Sequence, residues 1–209
     1  MSAADEAERV VPVIERLVST TEIPVSVDTT KGSVARAALA AGAEIVNDVS
    51  GGQFDPDLVS ICADRGAIFV CGHARGRNIA ETHASETTPP TFDDVVDELG
   101  ERLVRLPAAL RRRTIVDPGI GFGKPRALNL ELLARAGELG ARLACPVLVG
   151  PSRKRVLGEL TGRPVDDRDD ATVGACLAAA AAGANMVRVH DVKRTRDALV
   201  VFEAVRARP

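Results

Sequence analysis

Short apolar, β-branched-rich runs alternate along this chain with longer amphipathic stretches, and that alternation constrains the fold more than any other feature. The runs are Ile23–Val27, Glu44–Asn47, Ile68–Cys71, Thr114–Val116, Pro146–Val149 and Met186–Val189. Such short, almost continuously apolar runs read as parallel strands buried on both faces. Helical spacing follows at Ser33–Ala41, Pro56–Arg65, Phe92–Arg111, Leu128–Leu139, Asp170–Ala182 and Thr195–Arg206, and a further helix near Ala4–Ser19 precedes the first strand. Strand-then-helix repetition with right-handed crossovers builds a parallel α/β sheet.

An open doubly wound sheet and a closed (β/α)8 barrel both satisfy this pattern. Asp28, Asn47 with Asp48, His73, Asp117, Ser152 and His190 stand at the C-terminal ends of the six runs. Polar groups at the same end of every strand favour the TIM-barrel type, whose active face lies there. An open sheet would gather them at one switch point. About six of eight βα units are present, and 209 residues fall short of the roughly 250 of a typical barrel. The expected organisation is therefore a single barrel domain over residues 1–209, N-terminally incomplete, with its long loop at Arg75–Thr91 on the active side.

Composition removes several function classes. With 27 Lys+Arg against 29 Asp+Glu, the net charge of −2 lacks the basic excess of a nucleic-acid-binding domain. Five Phe without Tyr or Trp offer little for stacking bases. There is no membrane-length apolar run, and the start MSAADEAERVV has no signal-peptide pattern, so a cytoplasmic chain is expected, with no membrane partner. Cys62, Cys71, Cys145 and Cys176 have no CxxC spacing and no nearby His, and read as small buried hydrophobes. Only four of the cations are lysines, which draws attention to Lys124 and Lys154 as places where a fork-shaped guanidinium would not serve.

Four segments carry chemistry. In Asp117-Pro-Gly-Ile-Gly-Phe-Gly-Lys124, three glycines in five residues let the backbone turn sharply and approach a ligand, with Lys124 in reach of an anion. The spacing is neither a Walker A loop nor GxGxxG, and the plain alternative is a glycine-rich turn capped by Asp117. Gly150-Pro-Ser-Arg-Lys-Arg155 sets three consecutive cations at a strand end, suited to an anion or carbonyl, or else a solvated surface run. Arg188 and His190, two apart, share a strand face, and many barrels bind phosphate at the loops after the last two strands. A structural His–Asp cap is the alternative there. Asp28 and Asn47-Asp48 suit a ligand rich in N–H donors, such as a heterocycle with an amidine-like edge. N-capping would account for any one of them alone. His73 and His83 are weaker ligand candidates.

In this order and spacing, SVDTTK, EIVNDVSGG, DPGIGFGK, PVLVGPSRK and RVHDV resemble the dihydropteroate synthase family, over essentially the whole chain from Val10 onward. The resemblance implies a (β/α)8 barrel. It implies a transferase that condenses 6-hydroxymethyl-7,8-dihydropterin diphosphate with p-aminobenzoate, giving 7,8-dihydropteroate and diphosphate in folate biosynthesis. Carried onto this sequence, it makes Asp28, Asp117 and Lys154 catalytic. Asp28, Asn47 and Asp117 would bond the pterin's donor edge, Lys154 would donate to the pterin, and Phe122 and Gly150 would line its slot. Ser152 would lie near the p-aminobenzoate carboxylate, and Arg188 and His190 would hold the diphosphate, with Mg2+ sharing its charge. A homodimer formed by helices near the C-terminus is also implied.

The pattern departs from the family in two places. The first two βα units, with an Asn that helps bind Mg2+ and two mobile loops, have no counterpart, so no metal ligand is expected within this chain. A downstream start assignment or a fragment is the expected reason. Where the family commonly has Met-His, this chain has Gly72-His73, which is expected to leave room beside the pterin. Two other readings stand beside the enzyme: a non-catalytic pterin-binding protein, and a pterin-dependent methyltransferase domain serving a corrinoid partner. The SRK and RVHDV blocks oppose the second, which has no use for a diphosphate site.

Overall fold

The computed structural model describes residues 1–84 and 88–208. All six predicted strands occur: β1 (Ser26–Asp28), β2 (Ile45–Asp48), β3 (Ile68–Gly72), β4 (Thr114–Asp117), β5 (Leu148–Val149) and β6 (Met186–Val187). Strand β2 starts one residue later than predicted, and β1 and β5 start later, after Pro24 and Pro146, because proline has no N–H to give a ladder. Instead Val147 N–H donates to Asn185 Oδ1 at 2.8 Å just ahead of β5. The ladders run β1-β2-β3-β4 and β5-β6, with β1 parallel to β2, β2 to β3, and β5 to β6. The fold class is α/β of the (β/α)8 type with six strands, and the ladders of the described residues do not join into a ring. The described residues fall into two compact units, one within Met1–Ser85 and Asp97–Val116, the other within Glu86–Val96 and Asp117–Pro209.

In the first unit, α1 (Ala3–Val18) opens on a capping box between Ser2 and Asp5. Its Glu6 accepts from Thr29 Oγ1 at 2.5 Å and from Lys31 Nζ, fastening α1 to the turn before α2 (Gly32–Ala40). Helix α3 (Asp57–Arg65) ends on left-handed Gly66. Val34, Ala35, Val46, Leu58 and Phe69 are fully buried around β2 and β3, and each large member contributes about 1.5–3 kcal/mol by leaving water. Strand β1 departs from the expected two-sided burial. Val27 is buried while Ser26 and Asp28 are exposed, because β1 has a ladder partner on one side only. The helix predicted over Phe92–Arg111 is two, α5 (Phe92–Arg105) and α6 (Ala108–Arg111), because Pro107 cannot continue α5. The predicted loop after β3 contains α4 (Ile79–Ala84), while residues 85–87 and the side chain of His83 lie outside the described residues.

In the second unit the helix predicted over Leu128–Leu139 also divides, into α7 (Arg126–Ala134) and α8 (Ala136–Leu143). Arg135 leaves helical geometry between them. Its guanidinium reaches Glu131 and Glu138 and lies 3.6 Å from the centroid of Phe92. The Gly137 N–H donates to Ala182 O at 2.7 Å, which draws the start of α8 onto the chain just beyond α10 (Asp169–Ala181). A short helix, α9 (Arg155–Thr161), follows β5, and α11 (Val192–Arg206) follows β6. Met186 of β6 is exposed, a second departure from two-sided burial. Cys62, Cys71 and Cys176 are buried, Cys145 is partly so, and all four are free thiols. Burial pushes Cys62 up to about 12 and Cys176 to about 11, so neither is a nucleophile. Among the described residues no helix is long and apolar enough to cross a membrane.

Candidate functional site

The polar strand ends of the first unit have two fates. Asp28 and Asn47 are register partners on β1 and β2, side by side at the strand ends, with Asn47 buried and Asp28 exposed. The Thr29 N–H donates to Asn47 O at 3.0 Å and extends that pairing by one residue. Asp48, by contrast, turns onto its own loop. Its carboxylate accepts from Ser50 N–H and Oγ, both at 2.8 Å, and from Gly52 N–H at 2.6 Å. Burial still pushes its pKa up against those bonds. Asp48 is thus a loop cap rather than the ligand group suggested by its place beside Asn47.

His73 is also committed to the scaffold. It is buried, and its Nε2 lies 3.0 Å from Glu98 Oε2, while Arg75 bonds the other oxygen of Glu98. Above all the His73 bond, together with Arg75, holds the Glu98 carboxyl down at about 2. Gly72 does not leave the room expected of it. A Cβ on residue 72 would lie 2.5 Å from Val49 Cα and 2.7 Å from Asp48 O, so the neighbouring backbone already fills that space. Arg102 secures the same corner from α5, donating to Gly72 O at 2.5 Å and to Ala74 O at 3.0 Å.

The second unit assembles most of the remaining candidates. Asp117 ends β4, and one of its oxygens accepts the Gly119 N–H at 2.8 Å. Burial pushes its pKa up, opposed first by Lys154 and then by the Gly119 bond, Lys124 and Arg188. A partly buried carboxylate under the charge of Lys154, Lys124 and Arg188 is thus the electrostatic centre of this unit. Lys124 adds to the charge around it. Its Nζ donates to Gly119 O at 3.0 Å and to Phe122 O at 3.3 Å, tying up the glycine loop, whereas the spacing suggested that it meets an anion.

Residues 153–155 do not act as one cationic run. Arg153 adopts a left-handed backbone (φ 56°) and its guanidinium grips Asp169 with two bonds of 2.8 Å. Its N–H donates to Thr172 Oγ1 at 3.1 Å, and Arg168 Nη1 donates to Arg153 O at 3.0 Å. Arg155 is largely exposed and pairs with Glu159 one turn on. Only Lys154 turns toward the glycine loop, where Nζ donates to Ile120 O and lies 4.5 Å from the Phe122 ring centroid. The strained Arg153 and its partners thereby separate three adjacent cations into three roles.

Ser152 and His190 come together directly. Ser152 Oγ lies 2.8 Å from His190 Nδ1 and accepts the His190 N–H at 3.2 Å. Arg188 extends the β5-β6 pairing, its N–H donating to Val149 O at 2.9 Å, and its Cβ lies 3.8 Å from the point where a side chain on Gly150 would begin. Asp191 caps α11 by accepting the Arg194 N–H at 3.0 Å. The His–Asp cap reading is therefore right for Asp191, while His190 is engaged with Ser152. Sequence reasoning missed Asn129, Asp169 and Thr172. For Asn129 a signal existed: it is a polar residue on the same buried face of α7 as Leu132 and Leu133.

Among the described residues no three His, Cys, Asp or Glu side chains are grouped to hold a cation.

The family profile described as "Pterin binding enzyme" matches residues 1–190. A dihydropteroate synthase of Synechocystis is 38% identical over 98% of this chain and 71% of its own length. The Xanthomonas albilineans dihydropteroate synthase, solved in complex with 7,8-dihydropteroate, matches with a TM-score of 0.88 and 43% identity over 100% of this chain and 77% of that one. The enzyme of Thermus thermophilus, solved with 6HMPPP, matches at 0.91 and 39% identity over 99% and 81%. On the strength of the profile, the identities and the shared architecture, this chain belongs to the pterin-binding dihydropteroate synthase family.

Proposed function

We propose that this chain binds 6-hydroxymethyl-7,8-dihydropterin diphosphate and transfers its pterin-methylene group to p-aminobenzoate, releasing 7,8-dihydropteroate and diphosphate. The observation that carries this reading is the partly buried Asp117 carboxylate at the end of β4, within the charge of Lys154, Lys124 and Arg188, with Lys154 set on the glycine loop that follows. A carboxylate at this strand end matches the paired N–H donors of a pterin's amidine edge. Lys154, poised over the Phe122 ring, donates to the pterin, and Phe122 and Gly150 line its slot. In the first unit, Asp28 and Asn47 supply the same acceptor chemistry at paired strand ends.

The chemistry needs no side-chain nucleophile. The bond between the pterin methylene carbon and the diphosphate oxygen breaks, and diphosphate leaves with the electron pair. Carboxylates stabilise the positive charge left on the pterin methylene. Arg188 and His190 take the leaving diphosphate, and Ser152, bonded to His190, lies near the carboxylate of p-aminobenzoate. The arylamine nitrogen then bonds to the methylene carbon and releases its proton. Mg2+, where present, would share the charge of the diphosphate and be held through the substrate's phosphate oxygens rather than by an all-protein cage.

The protein acts in the cytoplasm, as one pterin-binding domain and as a homodimer. The exposed Val200, Val201 and Val205 of α11 support pairing through the C-terminal helix. Diphosphate release that requires both substrates tests the activity. Pterin binding with no p-aminobenzoate-dependent release would replace the enzyme by a non-catalytic pterin-binding protein.

A further inference from the structure

Asn129 is buried at the first turn of α7, and all its polar capacity is turned on the glycine loop that follows β4. Its Oδ1 accepts the Gly121 N–H at 2.6 Å, and its Nδ2 donates to Lys124 O at 2.9 Å and to Pro125 O at 3.0 Å. One amide thus fixes both the middle and the end of the loop. Gly121 needs fixing: its φ is +84°, and a Cβ there would lie 2.8 Å from Lys154 Cδ. The residues on either side of it are the two that meet Lys154. Ile120 O accepts from Nζ, and the Phe122 ring lies beneath it.

We infer that Asn129 is a positioning residue for the pterin slot, holding residues 120–122 so that Lys154 and the Phe122 ring keep the geometry that receives the ligand. The physical reason is that the glycine-rich backbone of the loop has wide freedom to turn. Glycine at 119, 121 and 123 leaves the backbone free to turn, and all three carry positive φ. The Phe122 N–H to Gly119 O bond of 3.1 Å closes a local turn without relating it to a helix. The bonds from Lys124 Nζ to Gly119 O and Phe122 O are likewise internal to the loop. Asn129 ties the turn to α7. Arg188 and His190 lie outside this linkage, so the inference separates pterin recognition from diphosphate recognition. It rests on the pterin reading given above.

The test is calorimetric titration of the wild-type chain and of Asn129→Ala with two probes, 6-hydroxymethyl-7,8-dihydropterin and inorganic diphosphate with Mg2+. The variant is expected to lose affinity for the pterin by roughly 10- to 100-fold, the usual consequence of a misplaced contact group, with diphosphate affinity unchanged. A merely structural role would lower the binding stoichiometry of both probes together and leave both affinities alone. That result overturns the inference, as does unchanged pterin affinity. Failure of the wild-type chain to bind the pterin at all overturns the underlying reading instead. Hydrogen exchange on the wild-type chain needs no variant. The Gly121 amide is expected to exchange as slowly as the buried turns of α7, and exchange at the rate of an open surface loop overturns the clamp.

Discussion

The strand ends of the two units begin from the same raw material and use it differently. In the first unit Asp48, His73 and Lys31 each satisfy a partner in their own scaffold: the Ser50–Gly52 loop, Glu98 and Glu6 respectively. In the second unit the Asp117 carboxylate faces several cations at once and takes one backbone bond, and Ser152 and His190 bond each other beside Arg188. The difference lies in the loops. The Val49–Gly52 segment folds back so that its amides reach Asp48, whereas the loop after Asp117 carries its later amides and carbonyls away to Asn129 and Lys124. A polar group at a strand end becomes a site only where the following loop leaves it for a ligand.

Replacing Asp117 breaks this contrast most severely. Asp117→Asn is expected to lower pterin affinity and turnover by about 100- to 1,000-fold, the scale for losing a preorganised charge. It is also expected to raise the melting temperature at neutral pH. Burial lifts the folded-state pKa of Asp117 above its ordinary 3.8, so across the interval above 3.8 the folded chain holds more protons than the unfolded one. Stability contributed by this group therefore falls as pH rises through that interval. The variant's thermal advantage should grow as pH rises above 3.8 and disappear as pH falls below it, as melting curves across the range would reveal.

A smaller effect sharpens the other side. Gly72→Ala places a methyl 2.5 Å from Val49 Cα, a backbone contact that cannot swing aside. The expected cost is about 3 kcal/mol of stability by denaturant unfolding, at the upper end for overpacking. A neutral result would mean that the Asp48–Gly52 loop is loosely held and that the first unit's polar groups are less committed than described. The smallest effects distinguish neighbouring cations. Lys154→Ala should weaken pterin binding by about tenfold or more, the value of one charged hydrogen bond. Arg155→Ala should change neither binding nor stability beyond about 0.5 kcal/mol, since its pair with Glu159 is exposed.

Much of this was legible in the sequence because strands are short-range signals. β-branched runs located every strand, and glycines and prolines located most loops. The helix breaks at Pro107 and Arg135 were harder. The first was overridden by an apolar periodicity running through it, and the second depends on Glu131, Glu138 and Phe92 meeting one guanidinium in space. The second unit's candidate residues were legible as strand-end groups, yet the division of Arg153, Lys154 and Arg155 was not. It arises from partners on α9 and α10 and in the loop after β4, which adjacency in sequence does not reveal. Asp48 and Gly72 were misread for a related reason. Backbone approach between β2 and β3 decides both, and a side-chain pattern carries no record of it.

The most direct test of the central claim is titration of 6-hydroxymethyl-7,8-dihydropterin diphosphate into the wild-type chain and into Asp117→Asn, each verified as folded. The account predicts saturable binding to the wild type and a loss of affinity on the order of 100-fold or more in the variant. Equal affinity in the two proteins would contradict it, and would mean that the carboxylate at the end of β4 does not read the pterin.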